Sequence, residues 1–223
     1  PFYQRLPDSL ELLDLPPRQL GEAARNGAVD AGILSLCDIL RIPGLRSLGD
    51  LGVAVDGPAH SVLLLSRERP DRIGGGTIGV TSETSTSFPL LRVLLERLLG
   101  VSDVTFARRF EAGQAGQLLI GDAALRAASA GGLVPGRSEY GPEPLPLTAS
   151  PEQPWRWALD LAAAWCDWQD MPFVFAEWVV RDEVPAPARV DLAQALHESL
   201  LWSEQHTDEL QRVCDGMAGL PAD

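Results

Sequence analysis

Apolar and polar positions follow two different periods along the chain, and this predicts a mixture of strands and helices. Continuous apolar runs of strand length occupy residues 61–66 and 173–180, and such runs are typical of strands that are buried on both faces. Residues 91–98 place leucines at helical spacing, and Gly100 is the predicted end of that helix. Because strand-like and helix-like segments alternate throughout, the sequence predicts an α/β architecture.

Shorter segments extend the same pattern. Further strands are predicted at 28–34, 77–81, 104–107 and 117–120, and further helices at 14–27, 36–40, from 123 onward, at 157–168 and at 189–213. In the helix predicted at 157–168, apolar residues recur on one face, which is more typical of a core than of a cofactor site: Trp157, Leu161, Trp165 and Trp168. Residues 131–154 are rich in Gly, Pro and Ser and predict a surface connection.

The two long apolar strands flank a middle segment that has its own strand–helix alternation. This predicts a discontinuous first lobe, made of residues 1–75 and 173–223, and a second lobe of residues 76–172 inserted into it. A cleft between two lobes is where small ligands usually bind.

Composition narrows the function classes. The 223 residues carry a net charge of −13, which disfavours a nucleic-acid partner, and no apolar run is long enough for a membrane helix. All 18 basic residues other than histidine are arginines, so lysine Schiff-base chemistry and the usual linkage of pyridoxal phosphate are excluded. The three cysteines and three histidines are scattered, which indicates neither a zinc site nor a disulfide framework.

The most distinctive polar stretch is TSETSTS at residues 81–87, between a predicted strand and a predicted helix. Clustered hydroxyls beside the exposed amides of a helix start suit a carboxylate or a phosphate. An ordinary N-cap is the alternative, because Ser and Thr are favoured at that position regardless of function.

Four other positions are candidates for a site. Gly121 and Asp122 follow a predicted strand at its carboxyl end, where ligands of open α/β sheets bind. Asp122 is suited to orienting a hydroxyl or accepting a proton, and capping the next helix is the alternative. Ser61 opens a strand beside His60, a residue that we expect to be structural, and Tyr3 either lines a cleft or covers an edge.

Several segments resemble the chorismate dehydratase family, in family order and across residues 1–181. They are PFY (1–3), GAVDAGILS (27–35), HSVLLLS (60–66), SETSTSFPLL (82–91), LLIGDAAL (118–125), DLAAAW (160–165) and PFVFAEWVV (172–180). The resemblance implies a two-lobed α/β fold like that of the second type of periplasmic binding protein, used as a cytoplasmic enzyme. It implies a carbon–oxygen lyase that converts chorismate to 3-[(1-carboxyvinyl)oxy]benzoate and water, in the futalosine route to menaquinone. It implies neither a cofactor nor a metal.

Within this resemblance, the predicted substrate-binding residues are those that combine hydroxyls, backbone amides and the cleft: Tyr3, Ser61, Ser82, Thr84, Ser85, Thr86 and Gly121. Asp122 and Ser85 are the predicted catalytic residues. The proton acceptor stays open between Asp122, Glu83 and a carboxylate of the substrate itself.

Other functions remain open from the sequence. The related family that makes 1,4-dihydroxy-6-naphthoate has the same fold, and a solute-binding protein for small carboxylates would share the helix starts that suit anions. A small dicarboxylate, chorismate, is the expected partner, with no nucleic acid or membrane, and the oligomeric state is not predicted. Family members begin with a short strand that ends in an asparagine just before the PFY segment. The sequence starts after that strand, and we expect the chain to have been trimmed there.

Overall fold

The computed structural model describes residues 10–81, 84–133, 141–148 and 154–210. The helices in these ranges are α1 Pro17–Arg25, α2 Leu36–Ile39, α3 Ser87–Val93, α4 Gly121–Ala130, α5 Leu161–Gln169 and α6 Ala186–Gln205. The strands in the same ranges are β1 Ala31–Ser35, β2 Leu45–Val55, β3 Val62–Ser66, β4 Thr77–Val80, β5 Thr105–Ala107, β6 Gly116–Ile120, β7 Leu145–Pro146, β8 Trp157–Asp160 and β9 Phe173–Arg181. A 3₁₀ turn, Pro70–Arg72, precedes β4, and α3 continues as a π-helical segment, Leu94–Leu98.

The chain divides into two compact units, of which the first takes in Pro1–Gly52 and Ala176–Asp223. Its described residues form a three-stranded sheet in the order β1-β9-β2, with β1 antiparallel to β9. Leu34 of β1 and Val179 of β9 belong to the core that α1 covers, whereas Val180 packs with Leu196 of α6. Neighbouring residues of β9 therefore contribute to two different clusters, as expected from the alternation of side chains along a strand.

The second unit, Val53–Phe175, contains a six-stranded sheet in its described part, in the order β5-β4-β6-β3-β8-β7. Residues from α3 and α5 join the cluster that contains Leu64, and residues from α4 join the cluster that contains Leu63 and Leu65. Because helices cover both faces, β3 is buried along its whole length, which is the reason for its uninterrupted apolar sequence.

The unit boundary differs from the one expected from the sequence, which assigned residues 53–75 to the first lobe. Those residues lie in the second unit because β3 pairs with β6 and β8 in the larger sheet. A strand's apolar run predicts burial but not its partners, so the sequence pattern could not assign this strand to a sheet.

The prediction of a tryptophan face over 157–168 is wrong at its first residue. Trp157 lies in β8, and α5 begins only at Leu161, after the N-cap Asp160. Trp165 and Trp168 do lie on α5, where they pack against the core. Residues 145 and 146, expected in a surface connection, form the short edge strand β7.

Candidate functional site

The strands of the second unit bring several candidate residues to one edge of the sheet. Strand β4 is parallel to β5 and β6, while β3 is antiparallel to both β6 and β8. Strands β4, β5, β6 and β8 therefore run in one direction, and their carboxyl ends meet the amino end of β3. We call this end of the sheet the carboxyl edge. In open α/β sheets it is the usual place for a ligand.

Three helices in the described part of the unit begin at the carboxyl edge. Helix α4 follows β6 directly, and α5 follows β8 directly. Helix α3 begins at the end of residues 81–87, the TSETSTS stretch after β4, which we call the hydroxyl-rich loop. The first amides of a helix lack intrahelical partners and carry partial positive charge. Their convergence favours a negatively charged ligand at this edge.

Asp160 connects the start of α5 to the turn before β3. It is only 2% exposed, and its Oδ1 accepts the N–H groups of Ala162 and Ala163 at 3.0 Å each. The same carboxylate accepts the N–H of Ala59 at 3.2 Å and that of His60 at 2.7 Å. His60 has a φ of 60°, an uncommon conformation for a residue with a side chain, and the Asp160 contacts hold its backbone there.

Ser61 and Gly121, two predicted site residues, are brought together at the carboxyl edge. The N–H of Gly121 donates to the carbonyl oxygen of Ser61 at 2.8 Å, and the Ser61 hydroxyl donates to the Ala59 carbonyl at 3.2 Å. Gly121 has a φ of 58°, and a Cβ at this position would meet nothing within 4 Å. The glycine is therefore required by backbone conformation and not by crowding.

Asp122 lies at the same edge but is directed to solvent. Its side chain is 64% exposed, and Oδ2 is 3.9 Å from Nη1 of Arg126, one turn further along α4. Helix α4 has Ile120 as its N-cap and no side-chain cap. The alternative role predicted for Asp122, capping this helix, is therefore not observed.

Most of the described residues of the hydroxyl-rich loop are buried. Thr84 is 4% exposed and Thr86 and Ser87 are 6% exposed, whereas Ser85 is half-buried. Thr86 Oγ1 donates to the carbonyl oxygen of Phe175 at 3.0 Å, and no side chain caps α3. Thr84 Oγ1 is buried and has no hydrogen-bond partner among the described residues, an arrangement that costs free energy unless a ligand or water completes it.

Three of the predicted residues, Tyr3, Ser82 and Glu83, lie outside the described residues. In the ranges that the structure describes, no three His, Cys, Asp or Glu side chains are grouped to hold a metal ion. In those same ranges no helix has the length and apolar character that crossing a membrane requires.

Residues 1–221 match the model of a protein family described as "Menaquinone biosynthesis". The chain belongs to this menaquinone biosynthesis family. It is also 31% identical over 199 residues to chorismate dehydratase of Thermus thermophilus, across 86% of this chain and 68% of that enzyme. The family resemblance seen in the sequence is thus confirmed.

Solved structures similar to this member of the menaquinone biosynthesis family show its fold. A protein from Archaeoglobus fulgidus has a TM-score of 0.63 at 15% identity, over 89% of this chain and 66% of its own length. The alkanesulfonate-binding protein of Xanthomonas axonopodis pv. citri, solved with MOPS bound, has a TM-score of 0.61 at 13% identity, over 94% of this chain and 68% of its own. The periplasmic aliphatic sulphonate-binding protein of Escherichia coli has a TM-score of 0.58 at 14% identity, over 94% of this chain and 64% of its own. The fold is that of the periplasmic binding proteins, as expected.

Sequence reasoning missed two residues at the carboxyl edge of this family member. Asp160 was noticed only as part of a family segment, although an aspartate directly before a helical pattern is a common N-cap signal. Arg108 follows β5 directly, and its guanidinium carbon lies 5.0 Å from the centre of the Phe88 ring. Arg108 could have been found from its position in the sequence, because it directly follows the strand predicted at 104–107, as Gly121 follows the strand predicted at 117–120.

Proposed function

We propose that this protein is a chorismate dehydratase, a hydro-lyase that converts chorismate to 3-[(1-carboxyvinyl)oxy]benzoate and water. The observation that carries the proposal is that residues 84–87 and the Ser61–Gly121 pair lie at the same edge of the sheet, where α3, α4 and α5 begin. The Thermus thermophilus relative named chorismate dehydratase supports it. A cytoplasmic location remains a prediction.

Chorismate carries two carboxylates, and the carboxyl edge provides donors for an anion. We assign one carboxylate to the hydroxyls of Thr84 and Ser85 together with the first amides of α3. Thr86 already donates its hydroxyl to the carbonyl oxygen of Phe175, so its role in the proposed binding set is to hold the loop in place. Ser82, in the same loop, and Tyr3 stay in the proposed binding set.

The reaction needs orientation more than a strong catalyst. A ring carbon loses its proton, the bond from a neighbouring ring carbon to the hydroxyl oxygen breaks, and the proton and hydroxyl leave as water. The ring becomes aromatic, which makes the product strongly favoured. Donors that are already in place stabilise the charge that develops during such an elimination, and we assign that role to Ser85.

The proton acceptor is proposed to be Asp122, Glu83 or a carboxylate of the substrate. Asp122 lies at the carboxyl edge, on the first turn of α4. Its carboxylate is exposed and therefore open to a bound substrate. A carboxylate of the substrate is already part of the bound molecule and needs only positioning.

The direct test is incubation of the full-length protein with chorismate, followed by mass spectrometry of the products. The proposal expects a product lighter than chorismate by one water. Chorismate that is bound but recovered intact would instead support a solute-binding protein, a function that the fold of the sulfonate-binding relatives favours.

The site is tested separately with the double variant Ser85→Ala, Thr86→Ala. We expect kcat/KM to fall, because one donor to the substrate is removed and the loop loses its hydrogen bond to Phe175. An unchanged kcat/KM would remove this helix start from the site.

A further inference from the structure

A substrate with two carboxylates poses an electrostatic problem for this protein. The chain carries a net charge of −13, which repels a dianion at long range. A positively charged group close to the bound substrate would offset this repulsion, and only arginine can supply a permanent charge in a chain without lysine. An arginine at the carboxyl edge of the second unit would supply this charge.

Most arginines in the described part of this unit are elsewhere or already paired. Arg67 and Arg69 follow β3, and Arg156 precedes β8, so they lie at the opposite edge of the sheet. At or near the carboxyl edge, Arg109 pairs with Glu111 at 2.7 Å, and Arg126 is 3.9 Å from Asp122.

Arg108 is placed differently. It is one residue beyond Ala107, which is in register with Gly79 of β4, so it lies beside the end of β4 where the hydroxyl-rich loop begins. Its guanidinium carbon is 5.0 Å from the centre of the Phe88 ring, and Phe88 is the second residue of α3. The positive charge is thus held at the start of the helix to which we assign a substrate carboxylate.

The contact with Phe88 holds the guanidinium without consuming its hydrogen-bonding capacity. Phe88 itself packs edge-to-face on Phe106, with ring centres 5.1 Å apart. A cation over an aromatic face is attracted by the ring, while the N–H groups stay available to a planar acceptor. No described carboxylate lies within ion-pair distance of Arg108, in contrast to Arg109 beside it.

The turn that carries Arg108 is held from within the chain. Gln114 is buried, and its Nε2 donates to the carbonyl oxygen of Arg109 at 2.9 Å. Its Oε1 accepts the N–H of Glu111 at 3.1 Å. The backbone on the carboxyl side of Arg108 is therefore anchored, which limits the entropy lost when its side chain binds an anion.

We propose that Arg108, held over Phe88, binds a carboxylate of the substrate through paired N–H groups and selects for dianionic substrates. This inference rests on the proposed function, since it concerns the substrate of that same site. It adds a residue that neither the family segments nor the hydroxyl-rich loop contain.

The test compares Arg108→Gln with Arg109→Gln, a neighbouring variant that removes the same charge from the chain. We expect Arg108→Gln to raise KM for chorismate roughly tenfold or more, as for the loss of a charge-assisted paired hydrogen bond. Arg109→Gln should leave KM within about twofold of wild type, because Arg109 is already paired and both variants change net charge equally. Arg108→Lys keeps the positive charge but loses the planar pair of N–H donors, so its KM for chorismate should lie between those of Arg108→Gln and Arg109→Gln.

Two kinetic results would overturn the inference. One is a KM for Arg108→Gln close to that of wild type. The other is an equal rise in both glutamine variants, which would indicate a general effect of charge. Thermal unfolding of each variant checks that it folds. Phe88→Leu removes the ring under the guanidinium and should also raise KM for chorismate.

Failure of the proposed function is distinguishable from failure of this inference. If wild type releases no dehydrated product, the dehydratase proposal fails. Calorimetric titration with chorismate then tests Arg108 alone: weaker binding to Arg108→Gln than to wild type supports the inference, and equal binding overturns it. A wild-type protein that neither converts nor binds chorismate would refute both.

Discussion

The carboxylate of Asp160 accepts the backbone N–H of His60 at 2.7 Å, across a separation of 100 residues. The same carboxylate caps α5 through Ala162 and Ala163. A helix start and the turn that leads into β3 therefore depend on one buried side chain. This places Ser61, next in sequence, at a defined position on the carboxyl edge.

Removal of that carboxylate should destabilise the protein. Asp160→Ala leaves several N–H groups without their acceptor, and we expect a loss of roughly 2–4 kcal/mol in the free energy of unfolding. Asp160→Asn should cost less, since its amide oxygen still accepts. Urea denaturation measures both, with Asp167→Asn on the exposed face of α5 as the matched control. A free energy of unfolding for Asp160→Ala within about 0.5 kcal/mol of wild type would contradict this account.

The buried hydroxyl of Thr84 should separate activity from stability. Thr84→Val replaces a hydroxyl that has no hydrogen-bond partner among the described residues with a methyl group of similar size, so the unliganded protein should be equally or more stable to heat. If this hydroxyl holds a substrate carboxylate, kcat/KM for chorismate should fall about tenfold.

Thr86→Val is the control for that experiment, because Thr86 has a protein acceptor in Phe175. This variant should lose roughly 1 kcal/mol of stability through the broken hydrogen bond. Equal stability losses in the two valine variants, with no change in kcat/KM for Thr84→Val, would show that Thr84 is only structural.

Gly121 should tolerate asparagine better than alanine. Its φ of 58° lies in the left-handed region, and open space surrounds the position of a Cβ, so the cost is conformational and not steric. Gly121→Ala should lose about 1–2 kcal/mol of stability, and Gly121→Asn less, because asparagine enters this region more readily. Thermal unfolding measures the difference. Two variants of equal stability would show that the backbone shifts at this position.

Asp122→Asn tests the proposed proton acceptor. Because Asp122 is exposed on the first turn of α4, the free energy of unfolding should change by no more than about 0.5 kcal/mol. If Asp122 is the base, kcat should fall on the order of a hundredfold or more.

Arg126→Gln is the control for Asp122→Asn. It removes the neighbouring charge but not the carboxylate, so it should leave kcat nearly unchanged. A kcat for Asp122→Asn equal to that of wild type assigns the proton to Glu83 or to the substrate, and Glu83→Gln then decides between them.

Much of the secondary structure was predictable, because local periodicity reports burial. The strands at 61–66 and 173–180 and the helix that follows the hydroxyl-rich loop are present within a residue or two. Strand β2 was missed because Leu48 is its only fully buried residue, which leaves no apolar alternation to detect. Strand β2 passes so close to β9 that position 52 must be glycine, because a Cβ there would lie 2.5 Å from the carbonyl oxygen of Ala176. The sequence of residues 45–55 does not reveal that Ala176 is the neighbour.

Local sequence patterns were enough to identify the kinds of elements, the family and the hydroxyl-rich loop, since each depends on residues that are close together in the chain. The pairing and direction of the strands depend on long-range packing, and this packing brings four residues to one edge of the sheet: Asp160, Ser61, Gly121 and Arg108. Strand β3 is antiparallel to both of its neighbours, and this orientation brings its first residues to the carboxyl ends of the others. These pairings join residues 50–58 positions apart between β3 and β6 and 91–97 positions apart between β3 and β8. They are selected by the burial of whole faces of the sheet, which local spacing does not specify.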